Sequence, residues 1–416
     1  SGVGARVMAL FGPTDPLLTG PRGTGETVVL KYVPDGYAAP WYGKTLPPGG
    51  WLSHIRPDEV AGKIEDHRWF EPPLVLRAPY ATAERTGPAR KKNRGKVSRI
   101  LLVTLTNIGD VILTTPVLMT LAECFPDAKI TVVVGPKAKG VLEGSRYVHR
   151  LVVYDKHGGL LEKWRFLKCL REDRYDLAVD LKNTAIPYLV AAKRRSSLWR
   201  FTRRTVLRDR HLEIIEKMGI HCETIPPFDF FNGKDEKAVL SKLKEFGIFS
   251  DGGWLVAAPV AASHFKSWPL QKFGEVIRRL LEEQDGKILL VGSPSEKPLV
   301  APLINIDPER IINFAGQTSL PELAFLVSRA SLLLANDSSL MHLGCELGVP
   351  VVAVFGPTAR CKALPDSLKF RVVREDIFCS PCEKADCRLD RQICFEDLPA
   401  QKVFEACLEL LHARQA

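Results

Sequence analysis

Four short stretches of this sequence combine residue types that can hold an anion or move a proton. The densest is Asn336-Asp337-Ser338-Ser339, which closes the apolar run Leu332 to Ala335 and opens the helical periodicity Leu340, Leu343, Leu347. A strand meeting a helix N-terminus leaves backbone N–H groups unpaired at the positive end of the helix dipole. Such a turn favours an anion, and the Ser338 and Ser339 hydroxyls add donors there. The spacing predicts a phosphate seat, although the same residue types also cap ordinary crossover helices. In the second stretch, Thr106-Asn107-Ile108-Gly109-Asp110, a carboxylate stands at a strand end, beside a glycine, where a helix begins. Asp110 can accept the proton of an attacking hydroxyl, general-base work worth roughly 10²–10⁴-fold in rate, or it can act as an N-cap. The third, Ala261 to Pro269, offers Lys266 to neutralise a phosphate and Trp268 to pack beside a ring. In the fourth, Gly292-Ser293-Pro294-Ser295-Glu296, Glu296 can hold ribose hydroxyls, as an acidic residue does in dinucleotide folds, or cap a helix.

Positioning these loops calls for strands alternating with helices. Ile100 to Leu105, Ile130 to Val134, Leu151 to Tyr154 and Leu177 to Leu181 read as buried strands, with helices from Thr114 to Glu123 and Trp164 to Arg171. After Pro226-Pro227 the alternation resumes. Helix Glu236 to Phe246 leads to strand Trp254 to Pro259, helix Leu270 to Glu283, strand Lys287 to Val291 and helix Pro321 to Ser328. Strand Leu332 to Ala335, its helix and strand Val351 to Phe355 complete the half. The expected fold class is α/β, with two Rossmann-like, doubly wound domains at 99–235 and 236–416 facing a central cleft. In such sheets ligands sit beyond the carboxyl ends of the strands, so the loops after residues 105, 181, 259, 291 and 335 face one cleft. Residues 1–98 are irregular. Val7 to Thr14 (VMALFGPT) resembles Val351 to Thr358 (VVAVFGPT), and Ile55 to Val60 resembles the approach to the last helix near Asp397 to Val403. Residues 1–70 are therefore read as a degenerate partial repeat of the far end of the chain, and 71–98 as a basic, proline-rich linker.

The 416 residues are 45% apolar, enough for two or three packed domains. No apolar run is long enough to span a bilayer and the first residues lack the order of a secretory signal, so the expected location is cytoplasmic. Lys and Arg (58) exceed Asp and Glu (48), giving a net charge of +10, which favours anionic partners. The excess concentrates at 90–99 and 193–210. Ten cysteines without a secretory signal argue against a disulfide framework.

Six motifs taken in order resemble those of the lipopolysaccharide heptosyltransferases, glycosyltransferase family 9. They are IGDVILTTP at 108–116, FKSWP at 265–269, GSPSE at 292–296, GQTSLPEL at 316–323, NDSSLMHL at 336–343 and FGPT at 355–358. The resemblance covers about residues 97–412. It implies a GT-B fold and inverting transfer from ADP-heptose to the lipopolysaccharide inner core, with no obligatory catalytic metal and no nucleic-acid partner. It also implies that Asp110 is the general base and Lys266 a phosphate ligand. Glu296 would be an adenosine-side contact, and Thr106, Gly109, Asp337, Ser338, Ser339 and His342 would surround the donor. Ser339 stands where the family usually has glycine.

Two further stretches carry expectations. In Lys193 to Arg210, Arg194, Arg195, Arg200 and Arg203 alternate with Trp199 and Phe201, as suits an anionic acceptor at the inner membrane face; the other reading is a solvated helix face. Cys379, Cys382, Cys387 and Cys394 (C-x2-C-x4-C-x6-C) have the number for a tetrahedral structural Zn or Fe site, or pack a loop as thiols. Relatives that glycosylate autotransporter proteins carry a comparable iron finger, so a protein acceptor is an alternative to lipopolysaccharide. A non-catalytic nucleic-acid- or membrane-binding scaffold is another.

Overall fold

The computed structural model describes residues 7–11, 27–31, 97–198, 202–249, 252–359, 369–384 and 386–415. The chain forms two compact units, Ser1–Glu84 and Arg85–Ala416. In the first, β1 (Val7–Phe11) pairs in parallel with β2 (Thr27–Lys31), Val7 opposite Thr27. Most of the proposed repeat and all but the end of the linker lie outside the described residues.

The second unit holds two parallel sheets. The first half runs β3 (Arg99–Val103), α1 (Ile108–Ile112), α2 (Thr115–Cys124), β4 (Lys129–Val134), α3 (Lys139–Leu142), β5 (Arg150–Val153), α4 (Leu160–Arg171), β6 (Leu177–Asp180), α5 (Ile186–Leu189), β7 (Arg194–Arg195) and α6 (Leu207–Glu216). Its strands lie in the order β5-β4-β3-β6-β7. The second half runs α7 (Gly233–Glu245), β8 (Leu255–Ala258), α8 (Leu270–Glu283), β9 (Ile288–Leu290), α9 (Lys297–Val300), β10 (Ile311–Asn313), α10 (Leu320–Ser328), β11 (Leu332–Asn336), α11 (Ser339–Glu346), β12 (Val351–Val354), β13 (Phe370–Val373), α12 (Ile393–Glu396) and α13 (Ala400–Gln415). Its order is β10-β9-β8-β11-β12-β13. These are the two doubly wound halves expected from the alternation. β12 pairs with β13 in parallel, Val351 opposite Phe370, the same arrangement that β1 and β2 adopt.

The central strands are apolar on both faces because helices cover both: Ile100 to Val103 and Leu332 to Ala335 are all buried. Where one helix was expected to run from the Asp110 loop through Thr114 to Glu123, two form. The Thr114 and Thr115 hydroxyls donate to the Val111 and Ile112 carbonyls at 2.7 and 2.8 Å, and Pro116 has no N–H with which to continue the ladder. α1 is thereby a separate five-residue turn that carries Asp110.

α11 joins the halves. Gly344 on its inner face lets it lie against its own sheet, since a Cβ there would meet Leu333 at 2.6 Å and Val351 at 2.8 Å. Leu343, on the same helix, is buried in the core of the first half together with Ala324. At the end of α11, Glu346 meets Arg208 of α6, Nε to Oε1 2.9 Å, both side chains mostly buried. Burial raises the Glu346 carboxyl above its ordinary range, and Arg208 pulls it back. Removing one member of such a pair leaves a poorly solvated charge. Arg208→Met is expected to cost about 3 kcal/mol of stability, most of it restored in Arg208→Met/Glu346→Leu. Urea unfolding of the single and double variants measures both.

Candidate active site

Three of the loops singled out in the sequence, those of Asp110, Lys266 and Asp337, come together where the two halves meet. α1 and α11 meet at their first turns, where a Cβ on Gly109 would lie 3.1 Å from His342 Cδ2 and 3.4 Å from Ser339 Cα. Only glycine fits there without the helices giving way. This contact brings Asp110 of the first half to the second half, close enough to stabilise the charged form of His342. Asn107 Nδ2 donates to Asp110 Oδ2 at 3.0 Å, which orients the carboxylate. Thr106 packs tightly over Gly135, fixing the loop between β3 and α1.

On the other wall, Lys266 Nζ and Asp337 Oδ2 form an ion pair at 2.7 Å. Buried Asn336 locks the Lys266 loop to β11, accepting from Trp268 N at 3.0 Å and donating to Pro259 O at 2.8 Å. Trp268 is a buried anchor whose Nε1 donates to Phe395 O at 3.2 Å, not a ring platform for a ligand. Ser338 is the N-cap of α11, with extended backbone and no capping bond from its side chain. Its Oγ is buried and has no hydrogen-bond partner among the described residues; the same holds for Thr358 Oγ1 in the turn after β12. Buried hydroxyls rarely lack a partner, and these two stand at the carboxyl ends of adjacent strands. His342 is held below its ordinary pKa by burial, with Asp337 and then Asp110 drawing it up and Lys266 pushing it down. Neutral imidazole beside an Asp–Lys pair is the resulting ground state.

Glu296 lies in the loop after β9, and its Oε2 accepts from Ser293 N at 2.7 Å, so the carboxylate braces its own loop. Arg194 and Arg195 line a cavity of about 380 Å³ at the edge of the first sheet. Arg194 donates to Met218 O at 3.0 Å, and Arg195 stacks on Tyr188 at 4.4 Å. Arg203 is exposed outside that cavity, and Arg200, with Trp199 and Phe201, lies outside the described residues. The segment is not a solvated helix face. Lys193 pairs with Asp176, Arg204 with Glu216 and Arg208 with Glu346.

The cysteine loop lies against the Lys266 loop and the turn after β12. Cys379, Cys382, Cys387 and Cys394 line one cavity of about 300 Å³ with Phe265 and Pro357. Among the described residues, however, no three His, Cys, Asp or Glu side chains are assembled as a metal ligand set. Cys387 Sγ is turned to Arg391 O at 3.6 Å, and the Cys394 thiol is pushed up to about 11 by burial, with the other three cysteines adding to the shift. The four thiols thus lie around one cavity. That loop buttresses the site: Cys382 N donates to Pro357 O at 3.0 Å and Gln392 Nε2 to Phe265 O at 2.7 Å.

Sequence reasoning missed three contributors. Thr358 was signalled by the FGPT motif, Asn336 was read only as a cap type, and Asn107 gave no signal beyond its place before Asp110.

A carboxylate on one wall faces a basic group, a helix N-terminus and orphaned hydroxyls on the other, across two parallel sheets. Two such sheets facing one another are the GT-B architecture. Residues 228–393 match glycosyltransferase family 9 (heptosyltransferase). The chain is 26% identical over 278 residues to lipopolysaccharide heptosyltransferase 3 of Escherichia coli K12, covering 60% of this chain and 80% of that protein. It is 24% identical over 351 residues to lipopolysaccharide heptosyltransferase 2 of the same strain, covering 76% and 100%. The solved E. coli ADP-heptose lipopolysaccharide heptosyltransferase II superposes with a TM-score of 0.62 at 21% identity, covering 76% of this chain and all of that one. A family 9 glycosyltransferase from Veillonella parvula superposes at 0.64 with 23% identity, covering 76% and 97%.

The depressed pKa of His342 gives a signed expectation. The neutral ring's contribution to stability is complete above the ordinary value of 6.5 and is lost as pH falls below it toward the folded value. Unfolding free energy measured against pH is expected to decline through that window, and His342→Gln is expected to flatten that part of the curve.

Proposed function

We propose that this chain transfers heptose from ADP-heptose to the inner core of lipopolysaccharide, with inversion at the anomeric carbon. The observation that carries the reading is the juxtaposition of Asp110 in one half with Ser339 and His342 in the other. It supports reading Asp110 as a base opposite a diphosphate seat.

Asp110, oriented by Asn107, takes the proton of an acceptor hydroxyl. The hydroxyl oxygen attacks the anomeric carbon, the bond from that carbon to the phosphate oxygen breaks, and ADP departs with the electron pair. Developing charge on the leaving diphosphate is met by Lys266, by the N–H groups at the start of α11 and by the Ser338 hydroxyl, donors fixed before the reaction. Thr358 supplies a further hydroxyl on that wall. Asp337 holds Lys266 in place, and neutral His342 with Thr106 and Gly109 bounds the sugar. Ser339 adds a hydroxyl at the first turn of α11. Glu296 is the adenosine-side contact. Arg194, Arg195, Arg200 and Arg203 belong to the acceptor side, where phosphates and carboxylates of Kdo and lipid A match their charge. The similarity to heptosyltransferases 2 and 3 supports this acceptor class. Contact with the cytoplasmic face of the inner membrane follows from the acceptor's lipid; among the described residues no helix is long and apolar enough to cross a membrane.

The test is transfer from ADP-heptose to truncated lipopolysaccharide acceptors, followed by mass spectrometry. Wild-type protein is expected to add one heptose. Asp110→Asn is expected to lose about 10²–10⁴-fold in rate while still binding ADP. Undiminished turnover by Asp110→Asn would remove Asp110 as the base, and turnover only with a protein acceptor would replace the substrate.

A further inference from the structure

α4 and α5 cover the same face of the first sheet. Leu170 of α4 and Ile186 of α5, with Val190 just beyond it, are buried in one cluster against Leu101, Val103, Val133 and Ala178. The outward side of this helical layer is not an ordinary polar surface. Along α4 the exposed positions include Leu161, Trp164, Arg165 and Lys168, a helical i, i+3, i+4, i+7 spacing. Leu161 and Trp164 are each 59% exposed. Tyr188 and Leu189 of α5 are also exposed, and Arg171 Nε joins the two helices by donating to Leu189 O at 2.8 Å. Each aromatic ring carries a cation: Lys168 lies 5.4 Å from the Trp164 ring and Arg195 4.4 Å from that of Tyr188. The acidic side chains of α4 sit at its ends. Glu162 accepts from Gly159 N at 3.1 Å, and Glu172 lies 3.9 Å from Arg150.

We propose that this α4–α5 face docks the protein on an anionic bilayer surface. Exposed Trp and Leu ringed by Lys and Arg is the composition of an interfacial membrane helix: apolar side chains enter the headgroup boundary while the cations meet lipid phosphates. A protein partner or a second copy would not call for the positive charge that the face shares with the whole chain, +10. The topology places the face usefully. α4 starts from the carboxyl end of β5 and α5 from that of β6, the sheet edge at which β3 delivers Asp110. A membrane touching Leu161 and Trp164 therefore lies on the acceptor side of the cleft. This deepens the lipid-borne acceptor reading but stands on the surface itself, and its test needs no sugar.

The experiment is co-sedimentation of the full chain with vesicles of phosphatidylcholine plus phosphatidylglycerol, and with phosphatidylcholine alone, for wild type and two variants. ADP affinity and thermal unfolding report folding. Wild type is expected to partition onto the anionic vesicles. Arg165→Gln/Lys168→Gln is expected to lose at least about tenfold and to lose its preference for anionic lipid. Leu161→Glu/Trp164→Glu is expected to lose binding to both, with ADP affinity intact. Three outcomes overturn the proposal: wild type remaining in the supernatant, both variants pelleting like wild type, or a wild-type dimer that ignores vesicles and dissociates in the Leu161→Glu/Trp164→Glu variant. Vesicle binding without any heptosyl transfer would leave the surface standing and sink the substrate reading instead.

Discussion

The seating of α11 between the two sheets is the constraint on which the rest depends. One short helix performs three tasks. Its inner face, relieved by Gly344, packs on β11 and β12; Leu343 enters the core of the other half; and its first turn faces Gly109 and Asp110. Groups on two domains can act on one ligand only if the domains are held in register, since a misplacement of about 1 Å can cost on the order of 10²-fold. The apolar seam and the Arg208–Glu346 pair supply that registration from the side opposite the chemistry. Electrostatics then follow from geometry. Asp110, Asp337, Lys266 and His342 form one mutually influencing group because the seam brings them together, and burial keeps the imidazole neutral.

The halves, and the loops that carry the site, were legible because both depend on local signals. Continuous apolar runs such as Leu332 to Ala335 announce strands buried on both faces. Ser and Asp clusters after them announce helix starts, so every loop chosen from the sequence in the second half falls at a carboxyl strand end. What could not be read depends on long-range partners. Asn336 has the composition of a cap, yet its amide ties residues 259 and 268 to the strand. Glu296 has the composition of a ribose ligand, yet one oxygen braces its own backbone. The basic segment after Lys193 hides α6, because charge obscured its apolar periodicity and one of its cations, Arg208, is paired with Glu346 against the other half.

The cysteine loop is tied to two of the site's loops: Cys382 N donates to Pro357 O after β12, and Gln392 Nε2 donates to Phe265 O in the Lys266 loop.

The central claim is that the cleft holds an ADP diphosphate between Lys266 and the first turn of α11. Calorimetric titration of the purified chain with ADP, and with GDP and UDP beside it, tests that most directly. The account predicts binding selective for ADP that Lys266→Ala weakens by about tenfold or more, as loss of a charge-assisted contact requires. A folded protein that binds none of the three nucleotides, or one whose ADP affinity is untouched by Lys266→Ala, would contradict it.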